Sequence, residues 1–143
     1  MLAQISSVFL SYASADRDAV RKIVDYIRQA GFRVWDPDIE ILPGDNWTAG
    51  LKQGLESSDA MVVFLSPEAS QSREVNREIE YALGAEHLSW RLVPVMLRPT
   101  RKYPWILRRM QMIHHATAKQ TGQAIVAMLR QPRHVLAESS QTN

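Results

Sequence analysis

Six consecutive apolar residues, Ala60-Met61-Val62-Val63-Phe64-Leu65, stand between the polar segments Ser57-Ser58-Asp59 and Ser66-Pro67-Glu68. A strand with one wet face alternates apolar and polar residues, because successive side chains point to opposite sides. This run does not alternate, so both of its faces must be covered. It reads as the central strand of a parallel sheet with helices on each side.

Around it, short apolar runs alternate with amphipathic stretches, the order expected of an α/β fold. Residues 7–12 read as a first strand. Ser14 reads as the N-cap of the next helix, with Asp16 and Asp18 in its electropositive first turn. Val20, Ile23, Val24, Ile27 and Ala30 recur at helical spacing, and Gly31 closes that helix. Residues 32–35 form a short second strand, and 36–46 a polar loop. Trp47, Leu51 and Leu55 mark one stripe of a second helix. Ser72 caps a third, whose core face is Val75, Ile79, Ala82 and Leu83. Residues 91–97 and, more weakly, 112–116 supply two further strands. Ala124, Ile125, Met128 and Leu129 mark a last helix, stopped near Pro132.

Five strands joined by right-handed crossovers predict a flavodoxin-like three-layer sandwich, with a five-stranded parallel sheet in the order 2-1-3-4-5 and helices on both faces. Ligands of such sheets sit outside the carboxyl ends of the strands, which here are Ser11-Tyr12, Trp35-Asp36 and Leu65-Ser66. The domain is expected over residues 1–132, with 133–143 a disordered tail or linker.

Composition removes several classes of function. The 143 residues include no cysteine, which excludes disulfides, thiolate metal sites and cysteine nucleophiles and fits a cytoplasmic protein. Lys and Arg number 17 against 15 Asp and Glu, too even a balance to indicate nucleic acid. The longest apolar run falls far short of the roughly 20 residues that span a membrane, and residues 1–5 carry no export signal. His114 and His115 would face opposite sides of a strand, so no metal site is expected. The basic stretch Arg98, Arg101, Lys102, Arg108 and Arg109 reads as a solvated loop, with an assembly surface or a dinucleotide-phosphate contact as the alternative. Glycine-rich nucleotide loops are absent. The acids that phosphate-receiving response regulators need are replaced by Ser11-Tyr12 and Leu65-Ser66-Pro67.

Four segments in order carry a resemblance. Val8-Phe9-Leu10-Ser11-Tyr12 resembles the first box of the Toll/interleukin-1 receptor (TIR) family. Gly31-Phe32-Arg33-Val34-Trp35-Asp36 with Leu42-Pro43-Gly44-Asp45-Asn46-Trp47 is similar to its second box and BB loop. Ser57-Ser58-Asp59 leading into the strand that ends Leu65-Ser66-Pro67 also matches. Residues 72–83 resemble the helix bearing the family's catalytic glutamate, whose position falls on Glu78. The resemblance, of bacterial type, covers roughly residues 6–130.

At about 100° per residue, Glu78 lies on the flank of the stripe formed by Val75, Ile79, Ala82 and Leu83. A carboxylate there is partly desolvated. Glu74, one turn earlier on the same flank, adds a like charge that should raise one of the two pKa values.

The resemblance implies an NAD+ glycohydrolase, or ADP-ribosyl cyclase, activated by self-assembly in immune or anti-phage-type signalling. NAD+ would be a substrate, with no cofactor and no metal. Glu78 would be catalytic, and Ser11, Tyr12, Trp35, Asp36, Trp47 and Glu74 would bind substrate. Leu42, Pro43, Gly44 and Asp45 of the BB loop would contact other TIR domains. Many TIR hydrolases place Trp where this chain has Glu74, which leaves Trp47 or Trp35 to offer an aromatic face. Two other readings stand beside this one: a non-catalytic TIR–TIR interaction scaffold, and an enzyme similar to nucleoside deoxyribosyltransferases.

Overall fold

A computed structural model describes residues 5–131; the tail expected at 133–143 lies outside the described residues. In chain order the elements are β1 (Ser7–Ser11), α1 (Arg17–Gln29), β2 (Arg33–Trp35), α2 (Pro37–Glu40), α3 (Trp47–Ser57), β3 (Ala60–Leu65), α4 (Pro67–Gln71), α5 (Arg73–Gly84), α6 (Glu86–Ser89), β4 (Leu92–Met96), β5 (Ile113–His114) and α7 (Ala118–Leu129). The sheet is parallel throughout, in the order β2-β1-β3-β4-β5. Fold class and strand order are those the sequence predicts. The sheet's margins are short: three residues in β2 and two in β5.

β3 is the central strand, and all six of its residues are buried. Alternate side chains divide the core. Val8, Leu10, Val62 and Phe64 pack under α1 and α7 with Ile23, Ile27 and Ile125. Phe9, Met61, Val63 and Leu65 face the other way, onto Leu55, Val75, Ile79 and Leu88. Each layer excludes water from one side of the sheet, so the apolar run is explained by burial on both faces.

Four local expectations are corrected. Ser14 does not cap α1: a 3-10 turn at Ser14–Asp16 comes first, and Ser14 is exposed. Asp16 stands at the N-cap position, but makes no side-chain cap bond. The segment 36–46 is not all loop, because Asp36 caps α2 by accepting from the Asp38 amide at 3.0 Å and Pro37 suits the first helical turn. The short helices α4 and α6 and a 3-10 turn at Trp105–Arg109 fall where too few residues repeat to show a period. β3 has the predicted span, whereas the other four strands are each trimmed by one or more residues. Ser72 caps α5 as expected, accepting from the Val75 amide at 3.2 Å.

At the amino-terminal end of the sheet, Asp59 ties β1 to β3. Its Oδ2 accepts from the Ser6 amide and hydroxyl, both at 2.9 Å, and from the Ser7 amide at 3.0 Å. Burial pushes its pKa up, but these bonds from Ser6 and Ser7 outweigh it and hold the group below the ordinary aspartate value. A depressed carboxylate stabilises the fold above its unfolded pKa and ceases to as pH falls through the folded one. Asp59→Ala is therefore expected to lower the urea stability by about 1 kcal/mol at pH 7, a charged hydrogen-bond figure discounted for solvent. The difference from the parent should shrink as the pH falls below about 4; equal differences at pH 7 and pH 3 would show that the charge is irrelevant.

Candidate functional site

The carboxyl ends of β1 and β2 and the middle of α5 meet at one rim of the sheet. β1 is held on both sides, with Phe9 opposite Trp35 of β2 and Ser11 opposite Val63 of β3. Its last residue, Ser11, is fully buried and donates from Oγ to Oε1 of Glu78 at 2.6 Å. Glu78 is 3% exposed, not the half-wet flank residue that helical spacing predicts. The serine hydroxyl explains the difference, since it lets a carboxyl group sit beneath α5 with a partner. No other described residue donates to the Glu78 carboxyl group. The one side-chain atom among the described residues that is fully covered and unpartnered is Arg91 Nε, so Glu78 Oε2, which has no hydrogen-bond partner, is not completely covered.

Burial pushes the Glu78 pKa up to about 8; the Ser11 hydrogen bond opposes this, and the charges of Glu74 and Asp38 add to it. The sequence expectation had the right direction but the wrong leading cause. Glu74 contributes less than desolvation, because it is exposed and its carboxylate accepts from the Ser72 hydroxyl at 3.4 Å.

Tyr12 follows Ser11 but packs on the opposite layer, beside α1 and α7. Its hydroxyl donates to Asp36 Oδ1 at 2.7 Å, and Asp36 is 3% exposed. Burial, then the hydrogen bond to Asp36 and the charges of Asp36 and Asp38, push the Tyr12 pKa well above the ordinary tyrosine value. Asp38 in turn pairs with Arg17 at 2.9 Å. The structure thus joins Ser11 to Glu78 and Tyr12 to Asp36, as two neighbouring pairs rather than one cluster.

The tryptophans separate. Trp35 stacks on Phe9, with centroids 5.1 Å apart and planes 13° from parallel, and packs in the same layer as α5. Trp47 opens α3 behind the Asn46 cap and is 42% exposed. In the loop before it, Asp45 Oδ2 accepts from the Leu42 amide at 2.9 Å and the Asp45 amide donates to the Leu42 carbonyl at 3.0 Å. Gly44, at φ +92°, supplies the left-handed turn that closes this knot. Leu42, Pro43, Gly44 and Asp45 are all exposed.

Sequence reasoning missed a second polar knot at the rim. Asp16 is buried and accepts from Ser66 Oγ at 2.5 Å and from Arg98 Nη2 at 2.7 Å; Arg98 also pairs with Glu68. Asp16 therefore links the β1–α1 turn to the ends of β3 and β4. The only available signal was its position in a helix first turn, which pointed to the dipole instead. Asp38, whose charge reaches Glu78, was missed because the sequence reading took residues 36–46 as loop. Elsewhere, His114 is exposed, and His115 Nδ1 lies 2.8 Å from Thr121 Oγ1. No helix among the described residues is long and apolar enough to cross a membrane.

Comparison with known proteins places the chain in a family. The TIR domain family model matches residues 8–129. A 2′ cyclic ADP-D-ribose synthase of Bacteroides thetaiotaomicron is 35% identical over 60 residues, covering 41% of this chain and 21% of that protein. A probable 2′ cyclic ADP-D-ribose synthase of Methanobrevibacter olleyae is 31% identical over 74 residues, covering 51% of this chain and 22% of its own length. The matched segments thus span about a fifth of those relatives. A metazoan TIR-STING receptor from C. gigas superposes with a TM-score of 0.72 at 23% identity, over 87% of this chain and 39% of that one. The parallel sheet, the strand-end serine and tyrosine and the match over residues 8–129 lead to one statement: the chain belongs to the TIR domain family.

Proposed function

We propose that this domain cleaves the bond between nicotinamide and ribose in NAD+, with Glu78 as the catalytic carboxylate. The observation that carries the reading is a carboxyl group buried at the sheet's rim, with one oxygen held by Ser11 and the other left without a protein partner. The names of the two partial relatives, both 2′ cyclic ADP-D-ribose synthases, support the substrate class.

The chemistry suits such sparse equipment. The C1′–N1 bond breaks with its electron pair leaving on nitrogen, so the cationic pyridinium departs as neutral nicotinamide and needs no general acid. The ribosyl fragment becomes oxocarbenium-like, and an ionised Glu78 stabilises that charge as carboxylates do in sugar hydrolysis. Water, or a hydroxyl of the same substrate, then adds to C1′ and releases one proton, giving a linear or a cyclic product. Of Trp35 and Trp47, it is Trp47 that has a free face to stack on a ring, because Trp35 is already committed to Phe9. Tyr12, Asp36 and Glu74 complete the proposed substrate-binding edge, and the cytoplasm is the compartment a cysteine-free chain fits.

The test is incubation of the concentrated domain with NAD+ beside Glu78→Ala. The parent is expected to release nicotinamide and the variant to lose at least a hundredfold in rate. A folded variant that consumes NAD+ as fast as the parent would falsify the assignment, and product analysis separates hydrolase, cyclase and deoxyribosyl transfer.

Assembly belongs to the same proposal. Leu42 (61% exposed) and its exposed neighbour Pro43, on a loop pinned by Asp45 and Gly44, favour contact with other TIR domains. Gly44→Val strains the positive φ and is expected to abolish concentration-dependent light scattering by the domain. A scaffold without turnover would show that loss while NAD+ stays intact in parent and variant alike.

A further inference from the structure

Glu78 is a flexible side chain placed where two like charges act on it. Glu74 lies on its own helix, and Asp38 reaches it from α2, only partly neutralised by Arg17 of α1. Left free, such a carboxyl group would sample several rotamers, and a misplaced catalytic oxygen costs rate steeply. A single donor opposes this. Ser11 Oγ comes from a strand paired on both sides, so its position is fixed by the sheet and not by a loop. The hydroxyl is fully buried, which prevents it from touching a substrate at the rim.

On this basis we infer that Ser11 is a positioning residue: it clamps Oε1 of Glu78 and thereby presents Oε2 as the oxygen that faces the reacting sugar. The inference rests on the catalytic reading of Glu78 and assigns the two oxygens different duties. It also moves Ser11 from the substrate-contacting set to a supporting place behind the carboxylate. The residue type follows from the space. A short hydroxyl suits a strand end packed directly against α5, and alanine there leaves Oε1 buried and unpaired.

The same bond favours the ionised form, so its removal should shift Glu78 toward protonation. Two variants test this, Ser11→Ala and Ser11→Cys, the second close in shape but a weaker donor. The first readout needs no substrate: the side-chain carboxyl of Glu78 followed by 13C NMR across pH 5 to 10, with thermal melts to confirm folding. The titration midpoint is expected to rise by about one pH unit in Ser11→Ala, with Ser11→Cys falling between it and the parent. In turnover, kcat at pH 7 should drop roughly ten- to a hundredfold with little change in KM, and the rising limb of the pH profile should move with the NMR midpoint.

A loss of packing alone would lower both variants equally and leave the midpoint where it is. Unchanged titration in folded Ser11→Ala, or a shifted titration with parental turnover, overturns the positioning role. Full turnover in Glu78→Gln overturns the catalytic reading instead, whatever Ser11 does, so the two failures are distinguishable.

Discussion

Glu78→Gln is expected to melt well above the parent at pH 8 to 9 and within a few degrees of it at pH 5. The folded-state pKa of about 8 lies above the ordinary value of 4.5, so the folded chain holds a proton that the unfolded chain has released between those values. Stability therefore falls as pH rises across that window, and levels off above it. Each pH unit the window spans is worth about 1.4 kcal/mol, which makes the full penalty on the order of 5 kcal/mol. Glutamine cannot ionise, and its amide oxygen can still accept from Ser11, so the variant escapes most of this cost. For a domain of this size the gain is roughly 10 °C in Tm. Its turnover should meanwhile fall at least a hundredfold. A stability rise paired with lost activity is the pattern expected of a group held in an unfavourable state for function. Differential scanning calorimetry from pH 5 to pH 9 checks it, and parallel Tm curves for parent and variant would sink the buried-carboxylate account.

Gly54→Ala should destabilise the fold although it replaces a helical glycine by the best helix former. A Cβ at Gly54 would come within 2.5–2.6 Å of three atoms of the Trp35 indole. Those atoms belong to a rigid ring already stacked on Phe9, so the ring cannot simply swing away. Overpacking of this kind costs about 1–3 kcal/mol, and the helix-propensity gain of about 1 kcal/mol offsets only part of it. Displacing Trp35 also disturbs Asp36, its chain neighbour and the acceptor for Tyr12. The expected result is a lower urea midpoint at unchanged m-value, together with loss of any activity that depends on the β2 rim. An unchanged or raised midpoint would mean that the Trp35 layer is looser than its stacking geometry indicates.

The fold was legible because its strongest signals are local and redundant. The unalternated run at β3, the 3.6-residue period of α1 and the Ser72 cap each point to the same layered sheet. The site was legible only in part. Ser11, Tyr12, Asp36 and Glu78 could be named from strand ends and motif order, but their pairing could not. Period 2 places Ser11 and Tyr12 on opposite layers, and the sequence alone does not say which layer contains α5. Helical spacing left Glu78 on a flank because it ignores what lies under the helix; a serine 67 positions away decides that the carboxylate is covered. Asp16 illustrates the same limit. Its neighbours in sequence suggest a dipole role, whereas its partners Ser66 and Arg98 lie 50 and 82 positions away.

The two margins of the sheet have a physical consequence for a domain proposed to work in crowds. With three and two residues in β2 and β5, almost no open backbone ladder remains for a neighbouring molecule to extend. Many copies can be brought side by side without inviting cross-β growth. Stacks built through loops and helix faces would stay dissolvable on dilution, and the trigger that gathers them would remain reversible.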